Sequence, residues 1–115
     1  MLSRKNRFHG PNAVRRIRGS NVHTEHLSAR ASKNSKLSDY RLAIVVSKKT
    51  AAKAVTRNRI RRRLFEAVRI QVELKNQPLD CVIYVKSPEL AAMAPEVLSA
   101  EVAQLTQKIV VRMLH

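Results

Sequence analysis

The chain has 115 residues, a length that predicts one domain over residues 1–115. It contains 23 Lys and Arg against 8 Asp and Glu, and this net charge of +15 predicts a polyanion as partner. Its 44% hydrophobic content allows a packed core, and two Phe, two Tyr and no Trp would leave that core mostly aliphatic. No apolar run is long enough to cross a membrane, the first residues hold no apolar signal-peptide core, and the single Cys81 cannot form an internal disulfide. We therefore expect a cytoplasmic protein that makes no membrane contact.

The positive charge is concentrated in the first half of the chain. Residues 1–63 contain 18 Lys and Arg and two acids, Glu25 and Asp39, for a net charge of +16. Residues 64–115 contain five Lys and Arg and six acids, for a net charge of −1. This asymmetry favours a polyanion-binding surface in the first half and a neutral scaffold in the second.

The first 38 residues carry weak structural signals. Residues 1–20 are predicted to form a basic, partly disordered segment, in which residues 13–18 could make a short helix between Gly10-Pro11-Asn12 and Gly19. Residues 21–30 are mildly strand-like. Residues 31–38 are polar and are predicted to form an exposed connection.

Stronger elements follow in the rest of the chain. Residues 40–47 and 79–85 are β-branched apolar runs of the length that buried strands have. Between them, residues 54–74 are predicted to form one long helix. Residues 94–114 place apolar side chains on one helical face, with acids early and cations late, as the helix dipole prefers. The pattern predicts an α+β fold with one sheet covered by helices.

On a helical wheel, the segment 54–74 has one apolar and one cationic face. Arg62 and Arg69 point to solvent beside Asn58, and a solvated basic face would by itself explain them. The residues on the adjoining flank are Arg59, Arg63 and Glu66. The residues that we expect to pack on the sheet are Ile60, Leu64, Ala67, Val68, Val72 and Leu74.

Arg57 and Arg61 do not fit a solvated face. They lie one turn apart inside the apolar sector, and burying two unpaired guanidinium groups would be costly. We therefore predict an open groove beside the start of the helix that both side chains enter. The free N–H groups of the helix start can hold a phosphate, and Asn58 could read a base edge or a 2′-hydroxyl. Three cations precede the helix, namely Lys48, Lys49 and Lys53.

Two segments resemble the signature of the bacterial ribonuclease P protein. They are Ser47-Lys48-Lys49 and Ala54-Val55-Thr56-Arg57-Asn58-Arg59-Ile60-Arg61-Arg62-Arg63-Leu64-Phe65-Glu66-Ala67-Val68-Arg69. Arg-Asn-Arg followed by Ile and two basic residues is the distinctive part. The resemblance implies a two-layer α/β sandwich of order α-β-β-β-α-β-α, with about four strands packed against helices. It also implies a left-handed β-α-β crossover.

The same resemblance implies the function. In this family an RNA subunit removes the 5′ leader from precursor tRNA with Mg²⁺, and the protein supplies no catalytic side chain. We therefore expect no catalytic residue, no metal and no cofactor bound by the motif itself. The expected partners are the ribonuclease P RNA, in a 1:1 complex, and precursor tRNA.

The resemblance assigns partners to individual residues. Arg57, Asn58 and Arg61 would serve the leader cleft, while Arg59, Arg62 and Arg63 would meet the RNA subunit. The residues expected to bind RNA are Lys48, Lys49, Lys53, Arg57, Asn58, Arg59, Arg61, Arg62, Arg63 and Arg69. The residues expected in the leader cleft are Phe8, Arg57, Asn58, Arg61 and Phe65.

Three positions depart from the family pattern. Phe65 stands where the family usually has a basic residue, the loop Thr50-Ala51-Ala52 lacks a common glycine, and Phe8 is the single aromatic residue before position 40. These departures predict a leader affinity or preference that differs from the family norm, with binding of the RNA subunit intact.

Other candidate sites have simpler explanations. Cys81 lies in a predicted strand and is expected to be a buried structural thiol. His23 and His26 would face opposite sides of a strand, which makes a poor metal pair, and Glu66 is expected to pair with a nearby arginine. No clustered carboxylates, phosphate-cradling glycine loop or zinc spacing is present, which favours a binding role.

Two alternatives use the same helix. A structural RNA-binding protein of ribosomal type would need no substrate cleft. A DNA-binding module would place Arg57 and Asn58 in the major groove. Insertion into the DNA major groove needs an exposed helix face. Arg57 and Arg61 instead lie at the margin of the apolar face, which favours a groove in the protein beside the helix.

Overall fold

The computed structural model describes residues 20–114. The elements in chain order are β1 (Ser20–His23), β2 (Leu27–Lys33), β3 (Arg41–Val45), α1 (Ala54–Arg69), β4 (Leu79–Val85), a short 3₁₀ helix (Pro88–Ala91) and α2 (Pro95–Leu114). This order agrees with the predicted fold class. The predicted first helix, residues 13–18, lies outside the described residues.

The four strands form one mixed sheet in the order β1-β2-β4-β3. The pairs β1–β2 and β2–β4 are antiparallel, while β3 and β4 are parallel. Cys81 in β4 stands between Ala31 of β2 and Leu42 of β3. Because parallel neighbours need a long connection, α1 crosses from the end of β3 to the start of β4.

Both helices cover one face of the sheet. Side chains alternate along β2, so that Leu27, Ala29 and Ala31 are buried and the residues between them are not. The helix residues that complete this core are Ile60, Leu64, Ala67 and Val68 of α1 and Leu98, Val102, Leu105 and Ile109 of α2. Each fully buried aliphatic side chain stabilises the fold by roughly 1.5–3 kcal/mol. The core is mostly aliphatic, as composition predicts, and among residues 20–114 Tyr40 is the aromatic residue buried in it.

The region before β3 differs from the prediction. Residues 21–30 form parts of two strands joined by a turn, and the predicted exposed connection begins only after Lys33. Ala31 is 2% exposed, and Lys33 pairs with Leu79. The local propensity of Ala31 to Lys33 for strand is low, but hydrogen bonding to the strongly apolar β4 overrides it.

Helix α1 ends five residues before its predicted end. It stops at Arg69, and the assignment of Val72 to the sheet-packing face was wrong, because Val72 is 68% exposed. Leu74 is fully buried, as predicted, but it reaches the core from the turn after the helix. Asn76 adopts a positive φ of 64° there and donates its backbone N–H to Asp39 Oδ1 at 2.9 Å. The chain must reverse here to enter β4, which shortens the helix.

Candidate nucleic-acid interface

The turn between β3 and α1 holds two exposed lysines at the edge of the sheet. Ser47 carbonyl oxygen accepts hydrogen bonds from Thr50 N at 3.1 Å and Ala51 N at 3.0 Å. Thr50 Oγ1 donates to the carbonyl oxygen of Val85, at the end of β4, at 3.4 Å. The turn is therefore fastened to both parallel strands, and Lys48 and Lys49 project from it into solvent.

This edge is where ligands bind in sheets with parallel strands, because the carboxyl ends of the strands and the start of the following helix meet there. Helix α1 begins after Lys53, whose side chain does not cap the first turn. The first turn contains no acidic residue. Free N–H groups at a helix start attract anions, and cations beside them repel one another and the helix dipole. A bound phosphate would relieve both effects.

Arg57 and Arg61 lie on one side of α1, and each is half-buried. Arg57 Nη1 donates to the carbonyl oxygens of Ala51 at 2.9 Å and Ala52 at 2.8 Å. Arg61 Nη1 donates to Asn58 Oδ1 at 2.9 Å. Neutral oxygens thus accept hydrogen bonds from each guanidinium group without supplying a negative charge. Arg57 folds over the loop before the helix, and Arg61 stays beside Asn58.

Of the other cations of α1, some are exposed and some donate hydrogen bonds to other parts of the protein. Arg59 and Arg62 are exposed. Arg63 is half-buried and donates through Nη1 to Leu90 O at 2.6 Å and through Nη2 to Met93 O, so it ties α1 to the segment before α2.

Arg69 pairs with Glu66, as the sequence predicts, through Nε at 3.1 Å and through Nη2. The hydrogen bond from Arg69 holds the pKa of Glu66 below its ordinary value.

Most of these cations have no carboxylate partner in residues 20–114. The ion pairs of that region are His26–Glu89, His26–Glu101, Arg41–Asp80 and Arg69–Glu66. None of them involves Lys48, Lys49, Lys53, Arg57, Arg59, Arg61, Arg62 or Arg63. A cationic surface without internal neutralisation is suited to a polyanion.

A family model described as Ribonuclease P matches residues 2–110. The chain belongs to the Ribonuclease P family. The resemblance seen in the motif around Arg57-Asn58-Arg59 is thereby confirmed. No curated protein sequence matches the chain significantly.

Solved RNase P proteins share the fold. The RNase P protein of Staphylococcus aureus has a TM-score of 0.78 at 22% identity, over 93% of this chain and 97% of that chain. A second S. aureus structure has a TM-score of 0.67 at 26% identity, over 97% and 95%. The RNase P protein of Thermotoga maritima in complex with 1-(4-fluorophenyl)-2-thiourea has a TM-score of 0.68 at 25% identity, over 78% and 85%.

Of the two aromatic residues that the RNase P resemblance assigns to the leader cleft, one can be located. Phe65 is half-buried and packs against the edge of the core, one turn after Arg61. Phe8 lies outside the described residues. Arg57, Asn58, Arg61 and Phe65 all lie on α1.

A polar cluster that the sequence analysis missed fastens the β1–β2 turn to α2. Glu101 Oε2 accepts hydrogen bonds from Thr24 Oγ1 at 2.6 Å and from His26 backbone N at 2.7 Å. Glu101 Oε1 lies 2.6 Å from His26 Nδ1, and Glu89 Oε2 lies 3.0 Å from His26 Nε2. The prediction of His26 in a strand was wrong, because His26 lies in the turn between β1 and β2. No local pattern links residues 75 positions apart.

The cluster shifts two pKa values. The hydrogen bond that the His26 ring donates to Glu101 raises the pKa of His26, against the opposing effect of burial. Burial acts to raise the pKa of Glu101, but the hydrogen bonds from Thr24 and His26 together lower it below its ordinary value. These opposite shifts are those expected for the ion pair of His26 with Glu101, which joins the β1–β2 turn to α2.

The structure offers neither a reactive cysteine nor a metal site within residues 20–114. Cys81 is fully buried, as predicted, and burial raises the pKa of its thiol to about 12. Within residues 20–114, no group of three or more His, Cys, Asp or Glu side chains could hold a metal ion. In the same range, no helix is long and apolar enough to cross a membrane.

Proposed function

We propose that this chain is the protein subunit of ribonuclease P, and that it assists the RNA subunit in removing the 5′ leader of precursor tRNA. The observation that carries the proposal is the cationic surface at the start of α1, in a chain of the Ribonuclease P family. Its lysines and arginines lack carboxylate partners in the described residues, and it adjoins the edge where β3 and β4 end.

The energetics of α1 favour a binding role for its cations. A cation in the first turn of a helix opposes the helix dipole by about 0.3–1 kcal/mol at a surface. Pairs such as Arg57 and Arg61, spaced four apart, add like-charge repulsion. Bound RNA would reverse the sign of both effects, and each neutralised phosphate would release counterions.

We propose that the two sides of α1 bind different partners. Arg57 and Arg61 would contact the leader from the half-buried margin of the helix, together with the exposed Asn58, which accepts a hydrogen bond from Arg61. Arg59 and Arg62 would contact the RNA subunit from the exposed side. Arg63 would bind phosphate with the N–H groups that it does not donate to Leu90 and Met93.

The RNA subunit would supply the catalytic centre and its Mg²⁺ in this proposal. The protein would supply affinity for the leader and neutralise the repulsion between two RNA molecules. Arg is suited to this task because its planar fork binds phosphate through two hydrogen bonds.

Reconstitution tests the proposal. The full chain is combined with a bacterial ribonuclease P RNA, and precursor-tRNA cleavage is measured at low Mg²⁺ with substrates that carry or lack a 5′ leader. We expect the protein to raise kcat/KM, with the larger gain for the substrate with a leader. No change in rate or affinity would contradict the proposal. Equal gains for both substrates would favour a structural RNA-binding protein without a substrate cleft.

A further inference from the structure

A groove of about 380 Å³ lies between the second half of α1 and the start of α2. Its mostly apolar lining includes Ala67, Ile70, Pro95 and Leu98. The volume is within the range of small-molecule sites, roughly 300–1,000 Å³. None of the predicted site residues requires such a groove, so the basic motif does not explain it.

Ile70 is the least expected residue of this lining. It follows the last residue of α1 and is 53% exposed, although it is a large aliphatic side chain. A single exposed aliphatic residue is ordinary on a protein surface. Ile70, however, lies in a concave site with Arg62 and Arg63 at its rim, and such a site can bind a ligand.

The rim of the groove belongs to the cationic side of α1. Arg62 is exposed and has no carboxylate partner within residues 20–114. Arg63 also lines the groove, and its hydrogen bonds to Leu90 O and Met93 O join α1 to the segment before α2. The acid of the rim, Glu66, is paired with Arg69. The groove therefore combines an apolar interior with a positive edge.

A nucleotide has the complementary chemistry, because its base is planar and largely apolar while its phosphate is anionic. Single-stranded RNA is recognised by bases that leave the stack and lie against apolar, aromatic or guanidinium surfaces. Arg62 could lie over such a base or bind its phosphate. The half-buried hydroxyl of Ser99 could bind the base edge.

We propose that this groove binds one unstacked nucleobase of the ribonuclease P RNA, with Ile70 as its apolar contact and Arg62 as its cationic one. The proposal rests on the proposed function, because the RNA subunit is taken to lie on the exposed side of α1. It adds a base-binding site beside the contacts with the RNA subunit that are proposed for Arg59 and Arg62.

The test uses the full chain, a bacterial ribonuclease P RNA and variants that keep the net charge. Ile70→Ser removes the apolar contact, and Ser99→Tyr fills the groove. Val111→Ser is the matched control, because Val111 is 54% exposed on α2 and does not line this groove. Affinity is measured by filter binding, and base accessibility by dimethyl sulfate probing of the RNA.

We expect Ile70→Ser and Ser99→Tyr each to weaken RNA binding about tenfold, in line with the contribution of one stacked base. Both should expose a base that the unmodified protein protects. Val111→Ser should stay within about twofold, as surface substitutions usually do. The salt dependence should not change with Ile70→Ser, because no phosphate contact is lost.

Full protection and affinity in Ile70→Ser and Ser99→Tyr would overturn the base-binding site and leave the proposed function standing. Failure of the unmodified chain to bind or activate the RNA would overturn the proposed function, and the base-binding site with it. Circular dichroism of each variant checks that the fold is retained.

Discussion

Glu101 Oε1 and His26 Nδ1 lie 2.6 Å apart, although 75 positions separate the two residues in the chain. Glu101 also accepts hydrogen bonds from Thr24 Oγ1 and from the backbone N–H of His26, and its side chain is 9% exposed. One carboxylate on α2 thus holds the turn that aligns β1 with β2. The contact thereby joins the β1–β2 hairpin to the helix that packs on it.

Glu101→Ala should lower the free energy of unfolding by about 2–3 kcal/mol, because it leaves several half-buried donors without a partner. Urea denaturation followed by circular dichroism measures the change. Glu96→Ala is the control, since Glu96 is an exposed acid at the start of the same helix. It should cost less than about 1 kcal/mol through the helix dipole. Equal losses in the two variants would contradict a special role for Glu101.

The stability contributed by His26 should depend on pH. Its pKa is raised above 6.5, so protonated His26 stabilises the fold below that pH, and the contribution is lost as pH rises through the folded-state pKa. The pKa of Glu101 is lowered, so its contribution is present above 4.5 and is lost as pH falls through the folded-state value. The pH ranges in which His26 and Glu101 contribute stability therefore overlap in mildly acidic solution.

His26→Gln tests this pH dependence. The difference in melting temperature between the unmodified chain and this variant should be largest at about pH 5–6.5 and should shrink above the folded-state pKa. A difference that is constant from pH 5 to pH 9 would argue that the neutral hydrogen bond alone matters. An NMR titration of the His26 ring gives the folded-state pKa directly.

Arg61→Ala should weaken binding of leader-bearing precursor tRNA about tenfold, as expected for the loss of one charge-assisted hydrogen bond. Binding of mature tRNA by the reconstituted holoenzyme should change little. Arg62→Ala is the control on the exposed side of α1, and it should weaken assembly with the RNA subunit. Equal losses for precursor and mature tRNA would move Arg61 out of the leader cleft.

Phe65→Arg should improve the affinity for leader-bearing substrate several-fold, because it restores a cation one turn after Arg61. The aliphatic stem of arginine can keep part of the packing that Phe65 makes at the edge of the core. Kd values for substrates with and without a leader measure the effect. Weaker leader binding would show instead that the aromatic ring itself contacts the leader.

The thiol of Cys81 should be inert in the folded protein, since it is fully buried and its pKa is about 12. Reaction with a thiol reagent at pH 8 should proceed only as fast as the protein unfolds. Addition of urea should make it rapid. Rapid reaction in native buffer would contradict the buried position between β2 and β3.

Much of the fold could be predicted from the sequence because its strongest signals are local. The apolar run over residues 79–85 forms β4 with the predicted bounds, and α1 begins at Ala54 as predicted. The strand-like character of β2 is weaker, because Ser28, Ala29 and Ala31 have little intrinsic preference for a strand. Its seven residues are recognised only through their register with β4.

The candidate site was predictable to a similar degree. The motif marks the cations of α1, but it does not distinguish the exposed Arg62 from Arg63, whose guanidinium group is bound to two carbonyl oxygens. The wheel places Val72 on the buried face because it continues the helix beyond Arg69. Neither the end of the helix nor the acceptors of Arg63 can be inferred from spacing.

The sequence by itself determined the basic helix at Arg57-Asn58-Arg59, its family and its separation from a neutral second half, since charge and periodicity are properties of neighbouring residues. Only the tertiary structure decided which cations remain without carboxylate partners in the described residues, that α2 leaves an apolar groove beside Ile70, and that Glu101 reaches His26. Those outcomes depend on which distant segments pack together, and hydrophobic packing brings together segments that no local pattern connects.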